Sequence, residues 1–234
     1  DGVDTAHKAV VLASLAYGCC VGMENVHIEG IRGLSETDIR YAGDFGYRIK
    51  LLAVIKQWAN DEVEIRVHPT LISRTHVLAS INGVFNAAMV HGNMAGHTLY
   101  YGRGAGREPT ASTVIADVAD IARNLAAKAP CRVPAVASAG RRPKFRPMGE
   151  VSSRYYLRLS LLDQPGVLAE IAALLGRQRI SIASVLQKEV SRGDHVPVLI
   201  VTHTAKEKDI DAALRDIEAT DSVAGRVVRL RIED

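Results

Sequence analysis

The sequence predicts an α+β fold, in which a mixed sheet with covering helices is followed by a smaller β-α-β-β-α-β unit. Two helical patterns, at 4–17 and 109–127, flank a strand-rich middle at 47–101, which favours helices packed on a sheet. A segment at 129–151 is rich in proline and arginine and has no apolar periodicity, so it predicts a linker. Beyond it, strand and helix patterns alternate in the order of the split βαββαβ unit.

Composition bounds the kind of protein. The 234 residues are 47% hydrophobic and 24% charged, so a packed core needs no metal or disulfide. The 29 basic and 26 acidic side chains nearly balance, which argues against nucleic acid as a partner. No long uncharged apolar run and no leader pattern occur, so we expect no membrane segment.

Cysteine and histidine placement predicts no metal site. Cys19, Cys20 and Cys131 lack the C-x-x-C spacing that metals and redox motifs require, which favours a reducing cytoplasm. None of the eight histidines has a second histidine four residues away with a carboxylate between them, as a zinc helix would. We interpret His7 as a packing residue.

The opening helical pattern carries an acid and a lysine one turn apart. From residue 9 to 16 the only polar side chain is Ser14, so we expect this helix to be buried. Lys8 shares a face with Val11 and its apolar neighbours, which predicts an ammonium at the mouth of a cleft. Asp4 and Lys8 then form a usable acid/base site, or only a helix cap with an i,i+4 ion pair.

The stretch after this helix predicts loops, a short helix and strands. Ser35, with Asp38 three residues on, predicts a capped helix start. One strand candidate begins at Tyr47, and three more occupy 62–72, 81–92 and 97–106. Pro109 opens the helix at 109–127, which should cover the sheet together with the first helix. The uncovered face or edge predicts pairing with a second subunit.

The C-terminal patterns predict a ferredoxin-like unit. Strands are expected in "RYYLRLSLL", "ISIASVLQKEV", "HVPVLIVTHT" and "GRVVRLRIE", with an "SRGD" turn between the middle two. One helix is expected in "GVLAEIAALLG", with Gly176 as its C-cap, and a second in "KEKDIDAALRDIEA". Together these segments give the order β-α-β-β-α-β.

Residues 152–234 resemble an ACT domain, a small-molecule-sensing module of amino-acid metabolism. The resemblance rests on a D-x-P-G-V-L signature, formed by Asp163, Pro165, Gly166, Val167 and Leu168. Gly166 would let the backbone approach a ligand, and the free amides of the following helix would meet a carboxylate. The alternative is a tight turn in a module that serves only for dimerisation.

Residues 1–128 resemble the catalytic and substrate-binding domain of the homoserine dehydrogenase family. The motifs are "DTAHKAVVLASLAYG", "GIRGLSETDIRYAGDFGYRIKLLAV", "VHPTLI", "INGVFNA" and "GRGAGREPTASTVIADV", in the family's order. The resemblance implies Lys8 as the proton donor and Asp4 as a substrate-binding acid. It implies interconversion of L-homoserine and L-aspartate 4-semialdehyde with NAD or NADP, in a cytoplasmic homodimer or homotetramer of threonine, methionine and isoleucine biosynthesis. L-Threonine is the expected effector.

The nucleotide-binding domain of that family has no counterpart in the sequence. The glycines of "YYGRGAGREPT" depart from G-x-G-x-x-G because position 107 is arginine. We interpret Gly102 and Gly104 as part of a turn that touches the cofactor from the substrate side, or else as a flexible loop without a ligand. We therefore expect the chain to lack dehydrogenase activity by itself. The competing interpretation is a non-catalytic, amino-acid-binding or dimerising ACT protein.

Overall fold

The computed structural model describes residues 1–129, 143–187 and 195–233. Its first part contains three helices and five strands. In chain order these are α1 (Val3–Tyr17), β1 (His27–Ile28), α2 (Glu36–Asp44), β2 (Tyr47–Gln57), β3 (Glu62–Ser73), β4 (Phe85–Gly92), β5 (Gly96–Arg103) and α3 (Arg107–Ala126). Each strand predicted here is found within a few residues of its predicted position.

The second part contains the predicted ferredoxin-like unit. A short strand, β6 (Lys144–Phe145), precedes it within the predicted linker, and the unit itself consists of β7 (Ser152–Leu162), α4 (Val167–Arg177), β8 (Ile182–Gln187), β9 (His195–Thr202), β10 (Ala205–Lys206), α5 (Glu207–Glu218) and β11 (Val228–Glu233). The strand order β11-β7-β9-β8 is antiparallel throughout. The "SRGD" turn and Cys131 lie outside the described residues.

One continuous sheet joins the two parts. Strand β3 pairs with β2 in antiparallel fashion along its whole length, and β11 pairs with β3 in parallel fashion at 70–72. The sheet is therefore mixed, and the α+β prediction is confirmed. Its path runs across the predicted boundary between the two parts.

The second edge of β3 is shared by three short segments from distant parts of the chain. β6 pairs at 62–63, β1 at 66–67 and β11 at 70–72, all parallel to β3. β6 and β1 cover only two residues each, so strand pairing alone cannot hold them in place, whereas β11 is also paired with β7 over 228–232. Side-chain contacts therefore help to hold β6 and β1, and those of β1 lie in the site described below.

Helices cover the two faces of this sheet separately. Helix α1 packs on one face of β3 through Ala6, Ala9 and Ala13, against two buried valines and one isoleucine of β3. Helix α2 lies on the same face further along. Helices α4 and α5 pack on the opposite face, over the alternating leucines of β7. This alternation follows from the period of two in a strand.

The predicted burial of the whole first helix is wrong. Its buried face carries alanines and Ser14, whereas Val11, Leu12 and Leu15 are 57%, 48% and 52% exposed. Small side chains allow the helix to approach β3 closely, so the bulkier apolar residues point away from the sheet. Lys8 lies among these exposed residues rather than in a cleft formed by the described part of the chain.

Helix α3 does not cover the sheet as predicted. It begins at Arg107, and no residue along it is buried. Its apolar side chains are more than half exposed and follow helical spacing: Val114, Ile115, Val118, Ile121 and Leu125. Strands β4 and β5 form a separate two-stranded ribbon before it. In the described part of the chain, the apolar stripe of α3 and this ribbon are largely exposed.

The end of helix α4 also differs from the prediction. Gly176 lies inside the helix, which ends at Arg177 with Gln178 as its C-cap. Arg179 takes the left-handed conformation, with φ of 58°. The amide of Ile180 then donates to the carbonyl of Leu175, which satisfies the helix end without a glycine.

Candidate active site

The acid and lysine predicted from the opening motif form an ion pair. Lys8 Nζ donates to Asp4 Oδ2 at 2.8 Å. Gly2, with φ of 84°, is the N-cap residue, and no side chain caps the helix, so Asp4 does not serve as the cap. The side chains of Lys8 and Asp4 are 59% and 83% exposed. An exposed pair of this kind contributes little to stability. Because both side chains are exposed, both groups are accessible to a ligand.

The segment 27–32 holds the start of helix α1. A Cβ at Gly30 would lie 2.9 Å from the Cα of Asp1, and one at Gly2 would lie 3.1 Å from Cγ2 of Ile28. Arg32 Nε donates to Asp1 Oδ1 at 2.6 Å. The backbone at Asp1 and Gly2 therefore packs directly against 28–30, and this contact sets where the helix begins.

The glycine-rich turn has a structural role at one of its two predicted positions. A Cβ at Gly104 would fall 1.6 Å from the Asn86 amide nitrogen, whereas nothing lies within 4 Å of one at Gly102. Gly106 takes φ of 131° as the N-cap of α3. The side chain of Asn86 therefore occupies the space beside Gly104, whereas Gly102 faces open space.

The D-x-P-G-V-L turn joins β7 to α4. Gly166 is the N-cap of α4, with φ of 94°, and a Cβ there would meet nothing within 4 Å. Val167 packs into the core below the turn. Asp163 and Pro165 are exposed. The open space above Gly166 is where a ligand could approach the first amides of α4.

A buried ionic cluster joins the C-terminal unit to the first part of the chain. Arg231 on β11 donates to both carboxylate oxygens of Glu29, each at 2.8 Å. Its Nε donates to Glu207 at 2.9 Å, and Tyr155 Oη donates to the same carboxylate at 2.8 Å. Arg229 contacts Glu29 and Glu207 from the side. Arg231 and Glu207 are almost fully buried.

Charge compensation keeps this cluster ionised. Burial opposes the charge of Glu29, but hydrogen bonds from Arg231 and His27 hold its pKa well below the usual range. Burial likewise opposes the charges of Glu207 and Arg231. Their mutual hydrogen bonds nevertheless lower the pKa of Glu207 and, with Glu29, raise that of Arg231. Burial and the neighbouring Glu207 raise the pKa of Tyr155.

A second group of buried charges continues along β3. Arg66 donates to Glu64 at 2.7 Å and contacts Glu233 on β11. Lys56 on β2 donates to Glu233 at 2.7 Å. His68 lies beside Arg66, and burial together with the charges of Arg231 and Arg66 lowers its pKa to about 2. Three strands are therefore joined by charges as well as by backbone pairing.

The ionic cluster was not among the sequence predictions, although the charge pattern of two strands carries a signal for it. Charged residues recur at every second position on two strands that end up adjacent: Glu62, Glu64, Arg66 and His68 on β3, and Arg229, Arg231 and Glu233 on β11. A strand with charges on one face and apolar residues on the other normally faces water. Here the middle of each charged face is buried, at Glu64, Arg66 and His68 on β3 and at Arg231 on β11, and the pairing of the two strands lets Arg66 reach Glu233.

The described part of the chain shows neither a metal cluster nor a membrane-spanning helix. No three histidine, cysteine, aspartate or glutamate side chains there lie close enough to hold a metal ion. None of the described helices has the length and apolar character needed to cross a membrane.

The comparison with known families decides the relationship. The family model described as homoserine dehydrogenase matches residues 1–119, and that of the ACT domain matches residues 155–221. This chain belongs to the homoserine dehydrogenase family. The first match contains Asp4, Lys8, Gly102 and Gly104, and the second contains the turn at Gly166.

Individual relatives agree with this assignment to the homoserine dehydrogenase family. Homoserine dehydrogenases of Pseudomonas aeruginosa and Neisseria gonorrhoeae are 44% and 42% identical to the chain over its full length. A homoserine dehydrogenase crystal structure from Thiobacillus denitrificans covers all of the chain at 43% identity, with a TM-score of 0.91. The chain spans about half the length of these relatives: 54% of the first two and 53% of the crystallised chain.

Proposed function

We propose that this chain is the substrate-binding and regulatory portion of a homoserine dehydrogenase that interconverts L-homoserine and L-aspartate 4-semialdehyde. The observation that carries the proposal is the Lys8–Asp4 pair, at 2.8 Å and exposed, within the family match to 1–119. That match supports an enzyme over a non-catalytic ACT protein. A cytoplasmic role in threonine, methionine and isoleucine biosynthesis follows from the same proposal.

Lys8 and Asp4 have distinct roles in the proposed reaction. When homoserine is oxidised, Lys8 Nζ takes the proton of its hydroxyl group, and in reduction Lys8 returns that proton to the alkoxide oxygen. Asp4 Oδ2 holds the ammonium in place and binds the polar end of the substrate. A nicotinamide cofactor, when bound, accepts or supplies the hydride.

The described residues fit only the edge of such a cofactor. Gly102 faces open space, and the free amides of the first turn of α3 follow it, so this turn can contact NAD or NADP from the substrate side. The Asn86 side chain occupies the space beside Gly104, whose amide donates to the carbonyl of Val84 at 3.0 Å and so shapes the turn. The main cofactor site belongs to a part of the enzyme outside this chain, and we expect the 234 residues alone to be inactive.

Exposed apolar surface supports a larger assembly. The stripe on α3 and the exposed residues Val11, Leu12 and Leu15 on α1 are typical of surfaces that another folded unit covers. Strand β2 has one paired edge in the described structure, on β3, so its other edge is available to a second subunit. A homodimer or homotetramer is the expected state.

The ACT domain provides the proposed regulation. Asp163, Pro165 and Gly166 shape an open turn, and Val167 anchors it in the core. L-Threonine is the proposed effector, with its carboxylate at the first amides of α4. Isothermal titration of the intact enzyme should give heat with millimolar threonine. Heat with another amino acid and none with threonine would reassign the effector.

Replacement of Lys8 by methionine in the intact enzyme tests the catalytic proposal. We expect Lys8→Met to lower kcat by roughly a hundredfold or more, since a positioned proton-transfer group contributes that much. Lys208→Met is the matched control, because Lys208 also forms an exposed ion pair at 2.8 Å, with Glu150. Unchanged turnover of homoserine by Lys8→Met would overturn the assignment.

A further inference from the structure

The segment 27–30 has two sides that face different parts of the molecule. Strand β1 places Ile28 next to Val67 and the start of α1, while the following residue, Glu29, points to the opposite face of the sheet. There Arg231 binds both carboxylate oxygens of Glu29. The segment therefore touches the helix with Asp4 and Lys8 on one side and the ACT domain on the other.

Ile28 packs against the core beneath α1, strand pairing holds the segment only weakly, and the ion pair ties its other side to β11. Strand β1 has two residues, and the amide of Glu29 donates to the carbonyl of Val67 at 2.7 Å. A two-residue strand is too short to be stable by itself. The bidentate contact with a buried arginine fixes both the position and the direction of the Glu29 side chain, and Glu207 and Tyr155 fix the arginine in turn.

We infer that Glu29 is a positioning residue, through which Arg231 of the ACT domain sets the place of Asp4 and Lys8. The connection runs from Arg231 to Glu29, through the backbone of 28–30 to Asp1 and Gly2, and into the first turn of α1. The backbone of Gly30 lies close to Asp1 and that of Gly2 close to Ile28, with little room for a Cβ on either glycine, so a shift of 28–30 is passed to the start of α1. The inference rests on the proposed function, because Lys8 acts there as the proton-transfer group.

Glu233 offers a matched control for Glu29. It lies on β11 two residues from Arg231 and is bound to Arg66 and Lys56, so it also joins β11 to the first part of the chain. Both side chains are partly buried acids in contact with a buried arginine. Only Glu29 contacts Arg231 and belongs to the segment against α1.

The test compares Glu29→Gln with Glu233→Gln in the intact enzyme. Both should lower the thermal midpoint. We expect only Glu29→Gln to raise KM for homoserine, by roughly tenfold, because a displaced Asp4 binds the polar end of the substrate less well, and to lower kcat, because Lys8 moves with it. Glu29→Gln should also speed hydrogen exchange of the Ala6 amide, which makes the first backbone hydrogen bond of α1, to the carbonyl of Gly2 at 2.9 Å. Arg231→Lys keeps the positive charge but loses the bidentate guanidinium contact with Glu29. It should reproduce the effects on homoserine kinetics and on amide exchange.

The double variant distinguishes a shared positioning role from a general loss of stability. Glu29→Gln with Arg231→Lys should raise KM no further than either change alone, because the two residues act as one unit. Equal effects of Glu29→Gln and Glu233→Gln on KM and exchange would overturn the inference. A wild-type enzyme without homoserine turnover would overturn the proposed function instead, and the exchange comparison would still decide the role of Glu29.

Discussion

His68 Nε2 lies 2.6 Å from Arg66 Nη1 inside the sheet. Because a guanidinium only donates, His68 must accept through Nε2, and its proton is on Nδ1, next to Thr70 Oγ1 at 2.9 Å. Both side chains are buried. The imidazole is therefore neutral, and a second proton would place two cations in direct contact.

This arrangement predicts that stability falls as the pH falls from 7 to 5. The folded protein keeps the pKa of His68 at about 2, whereas an unfolded histidine binds a proton below about 6.5. The unfolded state thus gains the proton first, and acidification favours it. We expect His68 to account for a loss of about 2 kcal/mol over this interval.

Urea unfolding of this chain at pH 7 and pH 5 measures that loss. The free energy of unfolding of His68→Gln should differ less between pH 7 and pH 5 than that of the wild type, because glutamine does not titrate. His203→Gln is the control, since His203 is exposed, and it should match the wild type. An unaltered pH dependence in His68→Gln would contradict the neutral state assigned to His68.

The alanine face of α1 predicts an unusual sensitivity to larger side chains. Ala9 has no exposed surface and packs on β3. Ala9→Leu should therefore destabilise the chain by about 1–3 kcal/mol through overpacking. Leu12→Ala, on the exposed side of the same helix, should cost less than about 1 kcal/mol. Urea midpoints of the two variants give the comparison, and the reverse order would show that the helix packs by its other face.

The two glycines of α4 should respond to alanine in opposite directions. Gly166 has φ of 94°, so Gly166→Ala should cost about 1–2 kcal/mol from backbone strain alone, as no atom obstructs the new methyl group. Gly176 is inside the helix and exposed, and Gly176→Ala should stabilise by about 0.5–1 kcal/mol. Thermal unfolding distinguishes them. A loss of stability in Gly176→Ala would contradict its place within the helix.

Glu207 should matter more than Tyr155, its hydrogen-bond donor. Glu207→Ala removes charge-assisted hydrogen bonds to Arg231 in a buried site while Glu29 stays paired with it, and should cost about 3 kcal/mol. Tyr155→Phe removes one hydrogen bond while both charges stay paired, so it should cost about 1 kcal/mol. Chemical denaturation of both variants gives the two losses in free energy of unfolding for comparison. Similar losses would mean that the tyrosine hydroxyl group, not the ion pair, holds the cluster together.

Local signals in the sequence were reliable where the determining contacts are local. Ser35 and Asp38 form the predicted capping box, because that motif depends only on residues three apart. The lysine and acid of α1 meet at 2.8 Å for the same reason. Burial was less predictable. An apolar helix pattern did not reveal that α1 packs by its smallest side chains, nor that α3 would lie exposed in this chain.

The sequence by itself determined the α+β class, the ferredoxin-like order of the C-terminal unit and the family, since periodicity and motif spacing are properties of neighbouring residues. Only the tertiary structure decided that β11 joins β3, and with it that Arg231 meets Glu29 across 202 positions of the chain. Such contacts depend on which strand edges meet. Edge pairing is set by the sum of packing over the whole sheet, which no local pattern records.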